Sequence, residues 1–584
     1  MSSPAISADS LITLDVGTTD TRAHLYDVVN GRYRYIASGI AQTTIMPPFN
    51  DLREGIFHAL TQLQDITQRT ILSNNGRILI PSQADGSGVD AIAVTLSAGP
   101  VIKVVAVGLL EDVSLESARN LATSTYASVN ETLSINDRRK QDERIDAILR
   151  VRSDLIIIAG GIDGGASRSI NELLEAVGAA CQLMPKSHSP HILYAGNKEI
   201  HENVTKILGP LTNLHFAPNI RPTLRIERIE SAQTQLVNIF RQIRAQQLYG
   251  LTDVESWAED RLAPGSSAFG RTIQFLSLAN KSRNSVLGID VGASALTLAA
   301  TNRNDLLLRV YPELGLASQA ENLLASISIG SIARWLPFAI SHTQIRDYLF
   351  NKASHPGSLP SSAEEMYLDQ AITKQIMRTA LKTITSKLHG RAAQGHSKLV
   401  PPFEPIIISG RAITHAPTLA QSLLMTLDGI QPTGITTLVL DQNNIAASLG
   451  AAATYNPLIT VQVLESNAFL NLGTIISPVG YAQPGVSILR INTTLQDGTE
   501  TQLDVKNGTL QVIAVPQRQS ATLQLQPLHR FDIGMGSPGR GGTVQVTGGA
   551  FGVIIDARGR PLTLPQDAKS RGILMKRWLK TLGN

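Results

Sequence analysis

Cysteine is almost absent from this chain of 584 residues, with Cys181 as its single copy. An intrachain disulfide is therefore excluded, and such low cysteine usage is typical of a reducing compartment. No apolar run reaches the roughly 18 residues that a membrane-spanning helix needs. The first ten residues also lack the basic and apolar regions of a signal peptide. These absences predict a soluble cytoplasmic protein with no membrane partner.

A strong charge of one sign is also missing. The chain carries 51 Lys and Arg against 47 Asp and Glu, which leaves a formal net charge of +4. Because this small excess is spread along the sequence, we expect no nucleic-acid partner. With 43% hydrophobic residues the chain can instead build large cores, and its length indicates two to four domains.

The first hydrophobic run ends in an unusual bend, LITLDVGTTDTRAHLYDV at residues 11–28. An apolar strand is followed by a carboxylate, a glycine and hydroxyl side chains, which belong to Asp15, Gly17, Thr18 and Thr19. A second alternating strand then begins, so the pattern predicts a hairpin whose loop could hold an oxyanion. Taken alone, the pattern is more typical of a plain structural turn.

A second copy of this pattern appears in the other half of the chain, SVLGIDVGASALTLAATN at residues 285–302. Its bend contains Asp290, Gly292, Ala293 and Ser294. Two such bends indicate an internal duplication. If the two bends face each other across a cleft, they could bind a polyphosphate from both sides. Each aspartate could hold a hydrated divalent cation through water.

The remaining pattern divides the chain into three parts, predicted at 1–284, 285–457 and 458–584. The first half mixes strands with helices, such as the capped amphipathic segment at 50–67, and so favours a mixed sheet covered by helices. The second part repeats this plan, and the third has short strands separated by Gly, Asn and Pro. The last helix has apolar residues at four-residue spacing. Packing on its own β-rich domain is favoured there over docking to a partner.

Several motifs, taken in order along nearly the whole chain, resemble the glutamate mutase accessory (MutL) family of the actin-like ATPase superfamily. They are LDVGTTDTRA, LIIIAGGIDGGA, LYAGNKE, IDVGASALTL, NKASHPGSLP and GGAFGVIIDARGRPLTLP. The resemblance implies an actin-like fold with two duplicated ribonuclease-H-like lobes around a nucleotide cleft, an inserted α/β segment in the first lobe, and a C-terminal β-rich domain. It also implies ATP and Mg²⁺ as ligands. The function implied is an accessory or reactivating chaperone for an adenosylcobalamin-dependent mutase.

The resemblance also implies roles for individual residues. The first phosphate loop would contain Asp15, Gly17, Thr18 and Thr19, with Arg22 where a lysine is common. The second would contain Asp290, Gly292, Ala293 and Ser294. Gly410 matches the adenosine-contacting bend, and Asp163 matches the residue that orients the attacking water. Asp15 and Asp290 would hold the hydrated Mg²⁺.

Two departures from the family pattern bear on hydrolysis. Ala293 stands where a glycine is usual, and its Cβ would crowd a phosphate. Arg411 stands where a second glycine usually follows Gly410. We therefore expect ATPase activity that is weak or depends on a partner. An alternative is a degenerate actin-like structural or self-assembling protein without hydrolysis. A small-molecule kinase is less favoured, because no substrate loop offers an acceptor-activating aspartate.

Overall fold

A computed structural model of the chain describes residues 9–165, 168–185, 188–259, 261–279, 285–302, 305–389 and 399–583. The strands of the first half are β1 (Ser10–Val16), β2 (Asp20–Val29), β3 (Arg32–Gln42), β4 (Ala91–Leu96), β5 (Ile102–Gly108), β6 (Ala127–Leu133), β7 (Leu155–Ala159), β8 (His191–Tyr194), β9 (Asn213–Phe216) and β10 (Leu262–Pro264). Its helices are α1 (Leu52–Thr67), α2 (Glu116–Ala122), α3 (Gln141–Val151), α4 (Arg168–Leu183), α5 (His201–Leu208), α6 (Glu230–Gln247), α7 (Leu251–Trp257) and α8 (Gly265–Ala279).

The second half has a similar mixture of elements. Its strands are β11 (Leu287–Val291), β12 (Leu296–Asn302), β13 (Asp305–Tyr311), β14 (Ile406–Ser409), β15 (Gly434–Leu440), β16 (Leu470–Ser477), β17 (Ser487–Leu495), β18 (Glu500–Lys506), β19 (Leu510–Ile513), β20 (Ser520–Pro527), β21 (Gly542–Thr547) and β22 (Val553–Asp556). Its helices are α9 (Ala320–Ser326), α10 (Ile329–Ala333), α11 (His342–Ser354), α12 (Ala363–His389), α13 (Arg411–Thr414), α14 (Leu419–Ile430), α15 (Ala446–Ala452), α16 (Pro457–Leu464) and α17 (Ala568–Thr581).

The first lobe is built on a sheet with the strand order β10-β4-β1-β2-β3. Strands β1, β2 and β3 form an antiparallel meander, whereas β4 runs parallel to β1. The predicted hairpin is confirmed, and its pairing places Asp15 opposite Arg22. The predicted helix is confirmed as α1, which begins after Asp51 because that carboxylate caps the backbone N–H of Arg53.

The second lobe repeats this arrangement, with β13-β12-β11-β14-β15 in the same positions and directions. The repeat confirms the duplicated actin-like fold. Strands β16, β22 and β19 extend the second sheet beyond β15, and β18-β17-β20-β21 form a separate antiparallel sheet. The domain boundaries remain a prediction, and residues 280–284 beside the first boundary lie outside the described residues.

The inserted segment between β4 and β10 has its own sheet, in which β6-β5-β7-β8-β9 are all parallel. Strand β7 is buried along its whole length and begins the LIIIAGGIDGGA motif, whose last residue, Ala166, lies outside the described residues. At the other end of the chain, α17 contacts β19 at the edge of the extended second sheet and α14 of the second lobe, and its buried residues Met575 and Trp578 join the core of that lobe. Across the described ranges, none of the helices is both long and apolar enough to span a bilayer.

Candidate functional site

A cleft of about 190 Å³ lies between the two lobes, where the β1–β2 and β11–β12 turns face each other. Its lining includes the predicted binding residues Asp15, Gly17, Thr18, Thr19, Arg22, Asp290, Gly292, Ala293, Ser294 and Gly410. The structure therefore brings together residues that are hundreds of positions apart in the sequence.

The two turns have the same backbone hydrogen bond. The N–H of Gly17 donates to the carbonyl of Asp20 at 2.9 Å, and that of Gly292 donates to Ala295 at 2.9 Å. A Cβ on Gly17 would lie 2.9 Å from the Asp20 oxygen, so this tight turn requires glycine. The Oγ1 of Thr18 donates to the Oγ of Ser294 at 2.8 Å and joins the turns across the cleft.

Two carboxyl groups mark the floor of the cleft. Asp15 accepts a hydrogen bond from Thr95 at 2.7 Å and lies 3.4 Å from an Arg22 nitrogen, yet burial raises its pKa. Burial and the neighbouring carboxylates of Asp15 and Asp441 raise the pKa of Asp290 to about 7. Because the single guanidinium of Arg22 does not offset this crowding of negative charge, the floor suits an additional cation.

The donor set fits a hydrated divalent cation better than one bound directly. In the parts of the chain that the structure describes, no group of three His, Cys, Asp or Glu side chains could hold a metal. A cation there would be held by Asp15 and Asp290 through water, and by oxygens of a bound ligand.

Gly410 brings the backbone of the second lobe close to the β11 strand. Its φ is +116°, and a Cβ there would lie 2.4 Å from the carbonyl oxygen of Val291. The Gly410 N–H donates to the Asn444 side chain at 3.0 Å, which fixes the bend. The next residue, Arg411, forms a 2.8 Å ion pair with Asp20 of the opposite lobe. The bend therefore contributes both a close backbone approach and a cross-cleft contact.

Sequence reasoning assigned no role to several residues of the cleft. Lys352 forms a 3.1 Å ion pair with Asp369 and donates to the Ser358 carbonyl at 2.7 Å. All three residues line the cleft, and the NKASHPGSLP motif, which contains Lys352 and Ser358, is the sequence signal that points to them. Tyr126 reaches the floor from the inserted segment, where burial and the carboxylates of Asp290 and Asp15 raise its pKa. No local pattern distinguishes this tyrosine from a core residue.

Asp163 is not brought to the cleft. It lies after β7 in the inserted sheet, where it accepts a hydrogen bond from Asn219 at 2.9 Å. Its backbone N–H donates to the carbonyl of Pro222 at 3.2 Å. The cleft lining does not include it.

Comparison with known proteins gives one family match. The family model described as MutL protein matches residues 11–468. Protein MutL of Clostridium tetanomorphum is 21% identical over 385 residues, which cover 63% of this chain and 76% of that protein.

Solved structures with weaker similarity include a nucleotide-free acetone carboxylase, at 12% identity and a TM-score of 0.29, covering 86% of this chain and 81% of that one. A diol dehydratase-reactivating factor in nucleotide-free form is 10% identical, with a TM-score of 0.28, and covers 76% of this chain and 99% of that one.

Proposed function

The chain belongs to the MutL protein family, and on this premise we propose that it is an ATP-binding accessory protein that reactivates an adenosylcobalamin-dependent mutase of the glutamate mutase type. The observation that carries the proposal is the pair of matching turns, each with an aspartate before its glycine, facing each other across one cleft. Such a site supplies N–H and hydroxyl donors from both lobes and carboxylates for a hydrated cation. We also propose a cytoplasmic location.

The cleft offers a place for each part of a nucleotide. The phosphates would lie between the turns, where Thr18 and Ser294 would exchange their mutual hydrogen bond for phosphate oxygens. The adenosine would lie beyond Gly410, against the apolar side chains of Pro356, Leu359, Met366 and Pro417. Mg²⁺ would neutralise phosphate charge, with its waters held by Asp15 and Asp290.

Hydrolysis by the chain alone would be slow. Phosphoryl transfer depends on placing a water and on stabilising the charge that develops on the phosphates. Ala293 has a Cβ where a glycine would let the backbone approach, and Asp163 is not among the residues that line the cleft. Binding requires less exact geometry than catalysis. The chain alone would therefore bind nucleotide, and fast hydrolysis would require a partner protein.

A reactivation assay tests the function. The mutase holoenzyme is first inactivated by turnover, and the chain, Mg·ATP and fresh adenosylcobalamin are then added. We expect mutase activity to return with the parent and with the surface variant Asp65→Asn, but not with Asp290→Asn. No recovery with the parent under any nucleotide condition would contradict the proposal. Filament formation without any effect on the mutase would instead favour the structural alternative.

A further inference from the structure

Arg378 on α12 is a partly buried cation. Its Nε is shielded from solvent and donates no hydrogen bond to any residue that the structure describes. Within the described ranges, no carboxylate forms an ion pair with this guanidinium, whereas Lys374 one turn earlier is 3.0 Å from Asp428. Buried charged groups are normally paired, so an unpaired arginine here needs an explanation.

The charges around Arg378 have the same sign. Burial, together with the neighbouring guanidinium groups of Arg334 and Arg560, lowers the pKa of Arg378 to about 10. Lys382 lies one helical turn further along α12, and desolvation, followed by the charges of Arg378 and Arg334, lowers its pKa as well. Like charges at this i,i+4 spacing destabilise a helix.

The acidic residues nearest to this cluster are already occupied. Asp428 is held by Lys374 at 3.0 Å and by Arg558 at 2.8 Å. Asp556 is held by Arg558 and by Arg560, each at 2.8 Å. Among the described residues no carboxylate forms an ion pair with Arg378 or Lys382, and the acidic group that acts on Arg334 is Asp428, which two other cations already share.

We propose that Arg334, Arg378 and Lys382 form a binding site for a small oxyanion, most simply a phosphate group. Two guanidinium groups and an ammonium carry three positive charges, enough to neutralise a dianion, and guanidinium donors suit the oxygens of phosphate or carboxylate. The DARGRP motif at 556–561 helps to build the site, because Asp556 anchors Arg560 and the carbonyl of Leu562 accepts a hydrogen bond from Arg334 at 3.2 Å.

This site is separate from the nucleotide cleft and does not depend on the proposed function. Asp369, which lines the cleft, and Arg378 are nine positions apart on the same helix, a rise of about 13 Å. The Arg334 guanidinium lies 4.8 Å from the centre of the Trp335 ring. An anion bound to Arg334 would therefore change the tryptophan fluorescence.

The test compares the full chain with Arg378→Met and with Arg577→Met, which removes an exposed arginine on α17 as a matched control. Thermal unfolding and tryptophan fluorescence are followed while inorganic phosphate is titrated against sodium chloride of equal ionic strength. We expect saturable stabilisation of the parent and of Arg577→Met. We expect Arg378→Met to bind phosphate about tenfold more weakly or not at all.

Two additions complete the test. A second anion distinguishes two chemical sources of the ligand, and a second variant shows whether a loss of binding reflects misfolding. In one series succinate replaces phosphate. Stronger stabilisation by phosphate indicates a phosphate-bearing ligand, and stronger stabilisation by succinate indicates a carboxylate-bearing ligand. The exposed Lys382→Gln variant should also weaken binding several-fold. Without anion, Arg378→Met should be at least as stable as the parent, because it removes like-charge repulsion. If neither anion stabilises the parent beyond chloride, or if Arg378→Met responds as the parent does, the site does not exist.

Discussion

The Oγ1 of Thr18 donates a hydrogen bond to the Oγ of Ser294 at 2.8 Å, between residues 276 positions apart. Thr18 directly follows Gly17 in the first turn, and Ser294 lies two residues after Gly292 in the second. The bond therefore joins the two turns across the cleft, one residue out of register between the repeats. A bound polyphosphate would have to separate them and satisfy both hydroxyls itself.

A double-mutant cycle with Thr18→Val and Ser294→Ala tests this exchange. In the free protein we expect the two substitutions to be coupled by about 0.5–1.5 kcal/mol in the free energy of unfolding, the usual worth of a partly buried hydrogen bond. With saturating Mg·ATP the coupling should vanish, because each hydroxyl then bonds to phosphate. Chemical denaturation of the four proteins with and without nucleotide gives both values, and coupling that persists with nucleotide would argue against this site.

The carboxylates should control the cation and its dependence on pH. Asp15→Asn and Asp290→Asn should each weaken Mg²⁺-dependent nucleotide binding while the fold remains intact. Since the pKa of Asp290 is about 7, a cation must displace a proton at lower pH, and affinity should fall by up to about tenfold per pH unit below 7. Calorimetry from pH 5.5 to 8.5 measures this slope.

The control for the pH effect is Asp290→Asn itself, which removes the titrating group. Its affinity should lack the part of the slope assigned to Asp290, while the slope due to ATP remains. The contribution of Asp290 to the folding stability of the free protein depends on pH in the opposite direction from nucleotide affinity, because it falls as the pH rises. A raised carboxyl pKa stabilises the free protein fully below about pH 4, and this contribution is lost as the pH rises through 7. Identical slopes in the parent and Asp290→Asn would show that Asp290 does not titrate in this range.

Replacing Gly410 with alanine should damage both the fold and the cleft. The added Cβ would meet the Val291 carbonyl oxygen at 2.4 Å, in a φ region that costs non-glycine residues about 1–3 kcal/mol. We expect a lower melting temperature and weaker nucleotide binding. Gly330→Ala is the matched control, because no atom lies within 4 Å of its added Cβ. Equal stability of the two variants would rule out the strained bend.

Ala293→Gly should increase the basal hydrolysis rate. If the Ala293 Cβ keeps a backbone donor away from the phosphates, removing it restores one preorganised interaction, typically worth a hundred- to a thousandfold in rate. A phosphate-release assay on the parent and the variant measures the change. Parent turnover on the order of 1 per second or faster, an ordinary enzyme rate, would refute the account of a weakened site.

Much of this architecture follows from local sequence patterns. The two hairpins, the capped helix α1 and the strand β7 are determined by hydrophobic periodicity, glycine and side-chain caps within a few residues of each other. The duplication then predicts that Asp15 and Asp290 share a cleft, and the structure places both there. Local patterns fail where a position depends on tertiary packing.

Three features illustrate that failure. Asp163 follows a buried strand and lies among glycines, and Asp15 and Asp290 lie near the ends of buried strands, but the strand before Asp163 is β7 of the inserted sheet. Tyr126 enters the cleft only because the inserted segment folds against both lobes. Strands β16, β22 and β19 lie in the part of the sequence that predicts a small β-rich domain, yet β16 pairs with the edge strand of the second lobe, and β22 and β19 continue the same sheet. Each depends on contacts between segments far apart in the chain.

Thermal unfolding in the presence of Mg·ATP or Mg·ADP measures whether the cleft binds nucleotide. A ligand at a hundredfold excess over its Kd stabilises the folded state by about 2.7 kcal/mol. We predict a rise of several degrees in the melting temperature of the parent and of Asp65→Asn, and a much smaller rise for Asp15→Asn. An unchanged melting temperature of the parent at millimolar nucleotide would contradict the account.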